Sequence, residues 1–352
     1  MVSVFKIAWH REKLEHYLRG EPIFPVTLEL NLTAACNRSC PDCPSSLGDA
    51  RLLLDIDFVD RVFSSLQGHT KGLIVTGGEP TLSPVFSQVL EMARQKYGFV
   101  DIAVVTNGSC LDDENVVSSI VSFASAVRIS LYDWDATSFD GLSPTLRKIE
   151  ALRKRINVSD RALEIGVSAL TTMAKIPVLE ELTDLVYGSG AHWIYFHPTC
   201  IIDITGARSR SDQQAVFKAI GECRSKVRNG FEVYALEERY EPFDIAFDGY
   251  HTAHFALVIG ADGKNYLATE VKYQPQYVLS DLVENRHNDF LWLEARLEQI
   301  RSVSSIDYPA QGSRNRGVLY NTLIEKLESG NLKLAEVLNA QPADGFRLPH
   351  II

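Results

Sequence analysis

Between residue 26 and about residue 228, short apolar runs alternate with amphipathic stretches, and this alternation restricts the folds open to the chain. The runs fall at residues 26–32, 72–76, 100–106, 127–132, 163–170 and 193–197, and they are rich in Val and Ile. Such runs suit strands that are covered on both faces. Between them, the spacing predicts helices over 57–66, 84–95, 113–123, 143–155, 176–186 and 212–227. Phe58, Val59, Val62 and Phe63 make the apolar stripe of the first. The third begins with an acidic turn, which complements a helix dipole. Six strand–helix units predict a parallel sheet built of βαβ crossovers.

After about residue 230 the pattern changes. Apolar runs at 255–259 and 266–268 flank Asp262-Gly263, a hairpin signal. Helical periodicity follows at 289–301, 317–328 and 332–338. The chain is therefore divided into an N-terminal segment (1–25), an α/β core (26–230) and a small α+β extension (231–352).

Cys36, Cys40 and Cys43 put half of the chain's six cysteines into eight residues, directly after the first apolar run. Three thiolates cannot complete the usual four-ligand shell of an iron–sulfur cluster, so one iron would stay open. An open position is where a metal site does chemistry. A zinc knuckle would need a fourth ligand, and no histidine lies between His10 and His69. The first ten residues hold no apolar core of the length a secretory signal needs, which favours a reducing, cytoplasmic setting over a disulfide framework.

The spacing C-x3-C-x2-C resembles the cluster motif of the radical S-adenosylmethionine (radical SAM) superfamily. The resemblance implies a partial (β/α)6 TIM-like barrel with its active site at the C-terminal ends of the strands. It also implies one [4Fe-4S] cluster on Cys36, Cys40 and Cys43, whose open iron takes the amino and carboxylate groups of S-adenosylmethionine. One electron then gives a 5′-deoxyadenosyl radical, so a one-electron reductant such as flavodoxin or ferredoxin is an expected partner.

Further motifs fall in the expected order. Thr76 is followed by Gly77, Gly78, Glu79 and Pro80, where a double glycine permits close backbone approach to a ligand. Alone, this is an ordinary turn. Some 35 residues after the cysteines, it resembles the GGEP motif that binds the amino group of SAM. Asn107, in a generic Asn-Gly turn, and Ser130 match positions near SAM, and Ser168 matches one more weakly. Arg128, Ser130 and Tyr132 share one face of the fourth run, so a polar wall lining a cavity is expected there. Asp42 departs from the family, which often has an aromatic residue before the third cysteine. The sixth run ends at His197, expected as a hydrogen-bonded wall residue, with Cys200 just beyond. A thiol there is a candidate hydrogen-atom donor or a small buried packing residue. Cys110 and Cys223 are expected to be inert.

The extension resembles SPASM or twitch domains, which hold auxiliary clusters through several cysteines. Here no cysteine follows Cys223, so no thiolate-bound auxiliary cluster is expected, and a substrate-binding or lid role remains. Net charge is −10, which disfavours a nucleic-acid partner, and no apolar run is long enough to span a membrane. The reading is an oxygen-sensitive enzyme acting on a small polar substrate of nucleoside, sugar or aminosugar type. Two alternatives stay open: a peptide-modifying enzyme of the same superfamily, and a non-catalytic iron–sulfur or zinc scaffold.

Overall fold

The computed structural model describes residues 4–40, 43–132, 139–159, 162–198, 210–226, 228–236, 239–240, 246–284, 289–308, 316–339 and 347–352. Seven strands run parallel in sequence order: β1 (Thr27–Asn31), β2 (Gly72–Thr76), β3 (Asp101–Thr106), β4 (Ala126–Leu131), β5 (Glu164–Thr171), β6 (Trp193–Pro198) and β7 (Glu232–Tyr234). The helices between them are α1 (Arg11–Leu18) ahead of the sheet, then α2 (Ile56–Leu66), α3 (Phe86–Glu91), α4 (Glu114–Phe123), α5 (Ser143–Asn157), α6 (Leu179–Gly188) and α7 (Arg210–Ser225).

Period-two alternation builds the barrel wall. Leu28 and Leu30, Leu73 and Val75, Ile102 and Val104 face outward into one core with the helices. The alternate residues Glu29, Ile74, Ala103, Arg128 and Tyr195 line a shared cavity, so the sheet curls around an axis. It does not close, and β7 and β10 (Val278–Asp281) are its edges. Local signals set the helix starts. Asp55 caps α2 through Phe58 N at 2.7 Å, and Asp113 caps α4 through Asn115 N and Val116 N. The helix expected over 84–95 starts at Phe86 and loosens into a π-helical turn at Met92–Lys96.

The hairpin pairs as expected, β8 (Ala256–Ile259) antiparallel to β9 (Lys264–Tyr266). Sequence reasoning missed its location: β8 runs parallel to β1, so the hairpin extends the barrel sheet. With β7 on the other side, the sheet passes through residue 230 without a break. In the extension, Leu267, Ala268 and Tyr308 pack together in an apolar cluster with Tyr250 and Val318.

Residues 347–352 form a floor. Thr27 Oγ1 donates to His350 O at 2.6 Å, and His350 N donates to Asp101 Oδ2 at 2.8 Å. Gly72 is needed where this segment crosses, because a Cβ there would lie 1.8 Å from His350 O. Thr27, Gly72 and Asp101 are the first residues of their strands, so the segment covers the N-terminal end of the barrel. No helix among the described residues is long and apolar enough to cross a membrane.

Candidate active site

The cysteine loop leaves β1 through Thr33, Ala34 and Ala35 and is fastened to the end of β2. Gly78 N donates to Thr33 O at 2.7 Å, and Glu79 N donates to Ala35 O at 2.8 Å. Ser45, past the last cysteine, donates its hydroxyl to Gly77 O at 2.6 Å. A Cβ on Gly78 would stand 2.2 Å from Ala35 O, and Gly77 has φ +146°. The double glycine thus admits the protein's own loop, where the sequence suggested close approach of a ligand.

Glu79 is fully buried. Its Oε1 accepts from Thr81 N (3.2 Å), Thr81 Oγ1 (2.5 Å) and Thr106 Oγ1 (2.7 Å). Its Oε2 accepts from Asn107 N at 2.7 Å and keeps acceptor capacity for another donor. Asn107 in turn donates to Asn37 Oδ1 at 2.8 Å, reaches Cys36 Sγ at 3.8 Å, and accepts from Ser109 N at 2.8 Å. The ends of β2 and β3 and the cysteine loop are therefore one hydrogen-bonded unit.

The donor set at this loop fits an iron–sulfur cluster. Cys36 is exposed, and Cys40 and Cys43 are half-buried. Three free thiols in one loop, with no histidine or fourth cysteine beside them in sequence, are the donor set of a cubane with one iron left open. Lys272, from the extension, is buried beside Cys43 and Glu29 and donates to Asn31 Oδ1 at 2.6 Å. Burial pushes its ammonium group below the usual lysine range, opposed by Glu29 and then Cys43.

Below this rim lies a cavity of about 350 Å³. Tyr132, Ser168 and His197 meet on its wall. Ser168 Oγ is 2.8 Å and Tyr132 OH 3.3 Å from His197 Nε2. Burial, with Arg239 and Arg128 nearby, holds His197 well below the usual histidine range, so the ring is neutral. Arg239 Nη1 donates to Tyr195 OH at 3.2 Å. Glu29 accepts from Thr269 Oγ1, and Glu164 from Trp193 Nε1 and Arg347.

The structure thus joins the cysteines, Gly77, Gly78, Glu79, Pro80 and Asn107 in one rim. Ser168 is buried lower, tied to His197. Ser130 is half-buried on the inward face of β4. Asp42 and Cys200 lie outside the described residues. Cys223 is buried in α7, which raises its thiol above the usual range. Arg239, Tyr234 and Lys272 escaped sequence reasoning. Glu29 carried a signal, since it and Asn31 put polar groups on one face of an apolar run.

Residues 30–185 match the family profile described as the radical SAM superfamily. Among curated proteins, the chain is similar to a GTP 3',8-cyclase of Photorhabdus laumondii, 24% identical over 177 residues, which are 49% of this chain and 51% of that protein. It is also similar to a GTP 3',8-cyclase of Haemophilus ducreyi, 28% identical over 178 residues, 49% of this chain and 50% of that protein. The chain spans about half the length of these curated relatives. Among solved structures, SuiB of Streptococcus suis bound to S-adenosylmethionine matches with a TM-score of 0.64 at 14% identity, over 83% of this chain and 71% of that one. That likeness is one of fold.

Proposed function

We propose that this chain, which belongs to the radical SAM superfamily, is an enzyme that cleaves S-adenosylmethionine reductively and abstracts hydrogen from a small polar substrate. Cys36, Cys40 and Cys43 would hold the [4Fe-4S] cluster, which supplies the electron for that cleavage. The observation that carries this reading is the three-thiol loop locked to the Gly77–Glu79 turn inside the segment that matches the family. Of the other SAM-binding candidates, Glu79 Oε2 retains acceptor capacity. Gly77, Gly78, Pro80 and Asn107 hold the rim, and Ser130 and Ser168 stand below it. A flavodoxin or ferredoxin would deliver the electron, and a reducing compartment such as the cytoplasm suits the exposed thiols.

For the substrate, the similarity to GTP 3',8-cyclases and the charged side chains in the cavity lining support a nucleoside, sugar or aminosugar type. The peptide reading has the fold likeness to SuiB, which does not extend to substrate. A scaffold has no use for a cavity lined by arginines and glutamates inside the barrel. Cys200 is our candidate for returning a hydrogen atom to the substrate. The resulting thiyl would take an electron from the reductant and a proton from water.

The test is anaerobic reconstitution. One four-iron cluster per chain and SAM cleavage are expected, and both should vanish when Cys36, Cys40 and Cys43 are changed to Ala. Cleavage surviving that triple change would sink the assignment. With substrate, Cys200→Ala should still release 5′-deoxyadenosine yet lose the final product. Normal product yield would leave Cys200 as packing.

A further inference from the structure

Among the described residues, three buried side-chain atoms without a hydrogen-bond partner belong to β4, β6 and β7 and to residues lining the 350 Å³ cavity: Arg128 Nε, His197 Nδ1 and Tyr234 OH. A fold rarely leaves buried polar groups unpaired, so their concentration in one cavity calls for a ligand. Arg128 Nε is an N–H donor. His197 Nδ1 carries the ring hydrogen when Nε2 accepts from Ser168, and the Tyr234 hydroxyl can donate.

Charge points the same way. Arg128 Nε has no hydrogen-bond partner among the described residues. The neutral ring of His197 faces both Arg128 and Arg239. Three acids line the other walls: Glu164 is engaged with Arg347 and Trp193, Glu29 with Thr269, and Glu270 lies beside Tyr250 and Tyr308. Arg128 is half-buried with its Nε shut away from water, and a bound carboxylate or phosphate can meet its guanidinium through paired N–H···O bonds. The volume lies within the range of about 300–1,000 Å³ usual for small-ligand sites.

We infer that this wall is an anion subsite: a carboxylate or phosphate of the substrate lies against Arg128, with His197 Nδ1 and Tyr234 OH as further donors. It deepens the functional reading above by naming a substrate class. The cavity lining includes none of the cysteines, Gly77, Gly78, Glu79 or Asn107, so this subsite is distinct from the rim.

The test is calorimetric titration of the reconstituted full chain, without SAM or reductant, at constant ionic strength. The probes are inorganic phosphate and succinate, with chloride as reference. Saturable binding of phosphate is expected for a phosphorylated substrate, and of succinate for a carboxylate. Arg128→Met should weaken that binding about tenfold or more. Arg128→Lys, which keeps charge but loses the planar fork, should weaken it less. Arg147→Met, on the outer helix α5, should leave it unchanged. If neither anion binds better than chloride, or if Arg128→Met binds like the wild type, the inference is overturned. The titration needs no SAM cleavage, so failure of the enzymatic reading and failure of the anion subsite remain separate results.

Discussion

The rim of the barrel and its inner wall treat their polar groups in opposite ways. At the rim, Glu79 accepts four hydrogen bonds, Asn107 ties three segments together, and Asn37 and Ser109 close the circuit at 2.9 Å. On the wall, Arg128 Nε, His197 Nδ1 and Tyr234 OH have no hydrogen-bond partner among the described residues. The rim's supporting hydrogen bonds are made without any ligand and so preorganise the cysteine loop. The wall is incomplete until a ligand arrives, and bears the stability cost of that.

The most severe way to break the contrast is Gly78→Ala. Its Cβ would meet the carbonyls of Ala35 at 2.2 Å and Ala34 at 2.5 Å, backbone atoms that cannot swing away like a side-chain tip. The expected cost is on the order of 3 kcal/mol, with loss of bound iron because the loop must lift from β2. Iron per chain and the denaturation midpoint check this, and wild-type values for both would show the rim to be looser than described.

Glu79→Gln is the next largest. One amide replaces an oxygen, so a donor now faces Asn107 N or the three donors at Oε1. The protein should lose about 1–3 kcal/mol without any ligand present. Weaker SAM binding at unchanged stability would instead assign the carboxylate to the ligand alone.

The two regions also differ in how far the sequence reveals them. The rim lies in the strand-to-helix turns of three consecutive βαβ units, so short motifs mark it: the cysteines, Gly77 to Pro80, and Asn107. Strands β1 to β6 were legible as apolar runs, and period two marked the inward face of β4 that holds Arg128 and Tyr132. The rest of the wall was not. Tyr234 and Arg239 follow residue 230, and β7 reaches the sheet through three residues that show no run of their own. Lys272 reaches Asn31 because β8 pairs with β1 across more than 220 residues, a long-range choice no local pattern encodes. The floor at 347–352 has no periodicity, and only Gly72 records its passage. The glycines of the GGEP turn were legible as a motif, yet their contact is the chain's own carbonyls, which a motif cannot specify.

The gentlest probe of the contrast compares two identical deletions. Tyr240 OH is buried 2.9 Å from Thr171 Oγ1, whereas Tyr234 OH is buried with no partner among the described residues. Tyr240→Phe removes a made bond and leaves the threonine hydroxyl only its bond to His197 O, which should cost about 1 kcal/mol. Tyr234→Phe removes only an oxygen that burial already penalises, and its ring keeps the edge contact with Trp193 at 6.1 Å. Stability should be unchanged or rise by up to about 1 kcal/mol. Unfolding midpoints of the two variants, measured without ligand, read the difference directly. Equal losses would mean that the Tyr234 hydroxyl is already satisfied in the resting protein, and the wall would then be as complete as the rim.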